Sequence, residues 1–165
     1  MSVYSGYVLK LVPVSEDARE LYQALLGGNS KKFPENDNAG FDLVLSERYS
    51  PVSDGLPNVF LAKLGVKAVM VNKFTDQTVH FWLAPRSSIW KNGVTLANSM
   101  GVIDRTYRGE LMAALMSFRP NTLEKNTRLV QIIAPDMGHI SEVVLCDEKD
   151  LDVTCRGSGG FGSTG

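Results

Sequence analysis

The sequence predicts an all-β protein, a sandwich or barrel of short strands, carrying one helix near its front. Two observations carry that reading. Short apolar or half-alternating runs, "GYVLKLVPV", "FDLVLSE", "NVFLAKL", "VKAVMVN", "TVHFWLAP", "ELMAALMSF", "RLVQIIAP" and "SEVVLC", recur along the chain and are punctuated by Gly, Pro, Asn and Asp. One segment alone places its apolar residues at helical spacing. The size agrees: 165 residues with 44% hydrophobic and 21% charged content can bury one good core.

Taken in order, the opening "MSVYSGYVLKLVPV" has its apolar stretch interrupted by Lys10, with no cationic leader, so it reads as a strand and not as a secretory signal. The helix follows over about residues 15–27. Ser15 suits the N-cap, Glu16 and Asp17 the first turn, and Ala18, Leu21, Tyr22, Leu25 and Leu26 share a face before Gly27 and Gly28 end it. The polar "GGNSKKFPENDN" predicts a surface loop into the main β region. Residues 1–155 are expected to form one β domain, and the last ten, half of them glycine, a flexible tail over residues 156–165.

Charge and cysteine usage narrow the class. A net charge of −1 gives no reason to expect a nucleic-acid-coating or membrane-surface protein. No run approaches the roughly 18 apolar residues of a membrane helix, and Cys146 and Cys155 form no CxxC pair. A cytoplasmic, reducing compartment is the simplest expectation, or a nuclear one in a eukaryotic setting. His80 and His139 have no ligand spacing and read as strand or loop residues.

Five stretches depart from plain core-and-surface patterning. In "NAGFDLVL", Asp42 stands in an apolar strand. It either points to solvent or, if buried, needs a charged partner, hydrogen bonds or a nearby metal. In "APRSSIW", Arg86 offers a fork of donors and Ser87 and Ser88 two hydroxyls, a composition suited to phosphate oxygens and also common on surfaces. In "NSMGVIDRTYRGEL", Asp104 and Tyr107 are punctuated by Gly101 and Gly109, as at the mouth of a hairpin. Such a seat suits a general base, or an Asp capping its own turn. Gln131 is an amide inside the apolar "RLVQIIAP" and must find partners if buried. In the tail, "RGSGGFGSTG", glycine amides can nest an anion, Arg156 can add charge and Phe161 can stack on a flat ring.

These five stretches, in this order, resemble the five motifs of the trimeric dUTPase family, from about residue 38 to the end. The resemblance implies a jelly-roll-like subunit, a homotrimer whose active sites each draw on three subunits, and hydrolysis of dUTP to dUMP and pyrophosphate with magnesium. Carried onto this chain, Asp104 would deprotonate the attacking water and Tyr107 would pack on the deoxyribose. Asn98 and the backbone through Gly101 and Val102 would read uracil. Arg86, Ser87, Ser88 and Gln131 would bind phosphates, with Asp42 near magnesium through water. Arg156 would reach the terminal phosphate and Phe161 lie over uracil, while Gly162, Ser163 and their neighbours complete a lid over an adjacent site.

Some positions depart from the family pattern. Arg-Ser-Ser replaces the common Arg-Ser-Gly and is similar to the related dCTP deaminases. Those enzymes place a glutamate within the strand after the third motif, where this chain has Ala113 and Ala114, and its one acid there, Glu110, comes directly after Gly109. Asn126 and Thr127 stand where the fourth motif usually opens with Gly-Asp. A further alternative is a nucleotide-sensing regulatory protein on the same fold, with the front helix or the extra loops as its partner surface.

Overall fold

A computed structural model describes residues 6–35, 37–52, 55–152, 157 and 159–160. These residues are mostly β, with one α-helix, as the sequence predicts. The first strand, β1 (Tyr7–Pro13), leads into α1 (Glu16–Leu26). Ser15 accepts the Ala18 amide at 3.1 Å, and Gly27 closes the other end in the left-handed region at φ 72°, where glycine has no Cβ to clash.

The strands that follow are β2 (Ser30–Lys32), β3 (Gly40–Asp42), β4 (Asn58–Lys63), β5 (Val66–Asn72), β6 (Gln77–Val79), β7 (Phe81–Pro85), β8 (Val94–Leu96), β9 (Gly101–Ile103), β10 (Met112–Ser117), β11 (Val130–Ile133) and β12 (Ile140–Leu145). They assemble into three sheets, ordered β2-β12-β1-β5-β6, β4-β10-β8 and β3-β11-β7-β9. All pairings are antiparallel except β1 with β12. The inward faces merge into one apolar cluster that includes Leu9, Leu45, Met70, Phe81, Leu115 and Ile132.

Several elements differ from the sequence reading. The polar segment after α1 contains β2, whose three residues are all exposed and are held as an edge against β12. The run "TVHFWLAP" is two strands broken at His80. β8 and β9 are not a hairpin: β8 pairs β10 and β9 pairs β7, so the chain changes sheets between them. Such choices depend on which strand lies alongside, which a local run of residues does not encode.

The helix is an integral part of the core. Ala18, Tyr22 and Leu26 are buried, and the Tyr22 hydroxyl donates to Leu64 O at 2.8 Å while accepting the Val44 amide at 3.3 Å. One side chain thereby ties α1 to two segments of the β framework. Burial pushes its phenol ionisation well up, opposed by the Val44 contact and reinforced by the charge of Glu110.

Tyr22→Phe should destabilise the protein by about 1–3 kcal/mol in urea titrations, because it strands a buried carbonyl and a buried amide. The wild-type phenol, neutral when folded, contributes stability that is fully present below about pH 10, the ionisation range of an unfolded tyrosine. That contribution declines as pH rises above it. The variant should therefore show a shallower loss of stability in alkali.

Candidate active site

The strand β7 organises the residues singled out from the sequence. One of its edges pairs β11, with Pro85 opposite Val130 and Ala84 opposite Gln131, and β11 in turn pairs β3, with Gln131 opposite Asp42. The backbone bond from the Arg86 amide to Leu129 O, at 3.0 Å, extends this ladder past the end of β7. Three stretches far apart in sequence thus become neighbours by register alone.

Their side chains face a shared opening of about 540 Å³, lined in part by Asp42, Arg86, Ser87, Arg128 and Gln131. Arg86 Nε lies 3.0 Å from Asp42 Oδ2, and Arg128 Nη1 lies 3.8 Å from the same oxygen. Asp42 is half-buried and paired, so the alternative of a strand residue merely pointing to water is set aside. Gln131 donates to Pro85 O at 3.2 Å, and its side chain lies across Gly40, where a Cβ would collide with its amide oxygen. Ser88 does not line this opening. It precedes the 3-10 turn Ile89–Asn92, and its hydroxyl makes no cap bond.

Two cations of this opening went unremarked in the sequence. Arg128 had a signal, a basic residue three positions before Gln131 at the start of an apolar strand. Lys31 had none, because its place in the opening depends on β2 pairing β12.

The other edge of β7 pairs β9, with Leu83 opposite Gly101, Trp82 opposite Val102 and Phe81 opposite Ile103. Beyond β9 the chain turns, and the Tyr107 amide donates to Asp104 O at 2.9 Å. A smaller cavity of about 200 Å³ opens here, lined in part by Asn98, Gly101, Val102, Tyr107 and Gly160. Tyr107 is 8% exposed and its hydroxyl donates to Glu110 O at 2.9 Å. Burial pushes its phenol up, with the Glu110 charge adding to the effect. The ring folds back directly over Gly109, where any Cβ would meet it.

The two openings lie toward opposite ends of β7. Asp104 follows the strand that pairs Phe81, whereas Arg86 follows Pro85. At about 3.3 Å per residue, roughly 20 Å of strand lies between them. A single chain therefore does not bring Asp104 to Arg86, Ser87 and Gln131.

Part of the tail is described. Gly157 O accepts the Arg108 amide at 2.6 Å, Arg108 Nε donates to Asp152 O at 3.0 Å, and Gly160 sits against the Tyr107 ring of its own chain. Arg156, Phe161, Gly162 and Ser163 lie outside the described residues.

The sequence profile of the dUTPase family matches residues 31–165. The chain belongs to the dUTPase family. The deoxyuridine 5'-triphosphate nucleotidohydrolase of Rickettsia canadensis is 32% identical over 141 residues, which span 84% of this chain and 89% of that one. The corresponding protein of Rickettsia akari is 34% identical over 142 residues, with the same shares. Among solved dUTPase structures, that of Streptococcus mutans is similar at 32% identity with a TM-score of 0.50, over 62% of this chain and 80% of that one. The dUTPase of Staphylococcus bacteriophage 80alpha, solved with dUPNHPP, is similar in fold with a TM-score of 0.55 at 18% identity, over 95% and 98% of the two chains. The family profile begins after α1, so the helix is an addition to the matched region.

Because Gly109 leaves room for a dUTPase-motif tyrosine, Gly109→Ala should force the Tyr107 ring out of its seat. Overpacking of this kind costs about 1–3 kcal/mol, readable as a lowered denaturation midpoint. An unchanged midpoint would show that the ring has somewhere else to go.

Proposed function

We propose that this chain hydrolyses dUTP to dUMP and pyrophosphate, in a homotrimer whose active sites are completed between subunits. The observation that carries the reading is the first four of the family's motifs folding into two half-sites, one cationic and amide-lined, the other a small pocket walled by the buried Tyr107 and by Ile103, the residue before Asp104. The relatives are deoxyuridine 5'-triphosphate nucleotidohydrolases, which points to dUTP as the substrate.

Asp104 takes a proton from a water whose oxygen bonds to the α-phosphorus. The bond from that phosphorus to its bridging oxygen breaks in line, and pyrophosphate departs with the electron pair. Asn98 and the backbone of Gly101 and Val102 read the uracil edge in the smaller cavity, where a site of matched donors and acceptors discriminates strongly among bases. Tyr107 closes the sugar side. Arg86, Ser87 and Gln131 hold phosphate oxygens, with Ser88 behind them and Arg128 adding charge.

Magnesium fits this chain as a companion of the substrate and not as a resident ion. Among the described residues no three His, Cys, Asp or Glu side chains gather, and the Asp42 carboxylate is held by Arg86. An ion that keeps its waters and binds mainly to phosphate oxygens suits such surroundings. Asp42 then serves first to fix the Arg86 guanidinium.

Two features support assembly. The half-sites are separated along β7, so a second copy is needed to bring Asp104 to the phosphate side. In addition, the outer face of β4 and β10 presents exposed Val59 and Leu61 beside half-buried Met112, Ala114 and Met116, an apolar surface that another subunit would cover. The deaminase alternative is not favoured, since Glu110 Oε1 accepts the Gly65 amide at 3.1 Å and is committed to the framework. The helix offered as a regulatory surface has its apolar face buried in the core.

Purified protein with dUTP and magnesium should release pyrophosphate, with dTTP, dCTP and UTP turned over far less. Asp104→Asn should lose on the order of 10²-fold or more in kcat, the usual scale of a general base, while still binding the nucleotide. An intact trimer that releases no pyrophosphate would sink the proposal.

Arg156, Phe161, Gly162 and Ser163 are assigned to closing the occupied site. Truncation before Arg156 should leave a folded trimer by light scattering and remove most of the turnover. Full activity in the truncated protein would take the tail out of the mechanism.

A further inference from the structure

His80 falls in the gap between β6 and β7, one residue before Phe81, whose strand partner is Ile103. Continuing that register by one step sets His80 opposite Asp104. The imidazole Nδ1 accepts the Arg105 amide at 3.0 Å and lies 3.5 Å from Asp104 Oδ1. We propose that His80 is a positioning residue for Asp104, pinning the turn that presents the carboxylate to water. The inference rests on the reading of Asp104 as the general base.

The hydrogen bond fixes the chemistry of the ring. A backbone N–H needs a lone pair to point at, so Nδ1 is unprotonated and the neutral ring carries its hydrogen on Nε2. In that form His80 holds the Arg105 backbone in place and adds no positive charge of its own beside Asp104. A second proton on the ring reverses both effects. Nδ1–H can no longer accept the Arg105 amide, and as a charged donor 3.5 Å from Oδ1 it draws the carboxylate toward itself and lowers its appetite for the water proton.

Among the described residues, the Asp104 carboxylate and the Arg105 backbone amide face the His80 ring. Arg108 is tied to the same turn through its bond to Arg105 O at 2.8 Å.

The test uses the full chain with magnesium and dUTP. His80→Ala should lower kcat about five- to tenfold, the scale of one net hydrogen bond, with KM changed less than twofold because substrate contacts stay. His80→Asn, whose amide oxygen can stand where Nδ1 stands, should recover most of kcat. Thermal melting of each variant separates a lost fold from a lost position, and the Asn variant carries the test if the Ala variant unfolds. A wild-type kcat in both variants, with Asp104→Asn inactive, overturns the role of His80 and leaves the base assignment standing. Full activity of Asp104→Asn overturns both.

Discussion

The chemistry of this chain depends on β7 being paired along both edges. A strand with two partners transmits register in two directions, so five residues, Phe81–Pro85, place β11 and β3 on one side and β9 on the other. A one-residue slip of either pairing would turn Gln131 or Gly101 to the wrong face of the sheet. Phe81, Leu83 and Ala84 resist that slip because they are buried in the core. The site geometry is therefore anchored by apolar packing along the same strand.

This arrangement explains why the cationic and carboxylate parts of the site tolerate being close in sequence and apart in space. Arg86 and Asp104 are connected by β8 and a change of sheets, and each is held locally. Arg86 is fixed by Asp42 and by its backbone bond to Leu129, and Asp104 by its turn and the contact with His80.

Much of this was legible in the sequence, and the parts that were not share a cause. The helix was readable to its caps because Ser15, the apolar stripe and Gly27 are local signals. The long strands were readable from alternation. The three-residue strands β2, β8 and β9 are too short to show a period, and their pairing is decided by distant partners. At the site, the ordered motifs brought Asp42, Arg86, Gln131, Asp104 and Tyr107 forward by residue type. Lys31 and His80 stayed silent, since the first depends on an edge pairing and the second on a contact across 25 positions of chain. The pairing of Asp42 with Arg86 was open in the sequence, and only the register of β3, β11 and β7 decides it.

The Tyr22 hydroxyl has a consequence for how the protein can be modified. Because that one oxygen bridges Leu64 and Val44, the helix cannot be handled as a detachable appendix, even though it precedes the region shared with the family. Cutting the chain back to the family boundary would remove β1 from between β12 and β5 as well as the helix, and would open a slot lined by backbone polar groups and by the apolar atoms that now meet Ala18 and Leu26. A shortened version would need new residues at those contacts before it could stand alone, so the accessory segment and the shared framework are coupled and must change together.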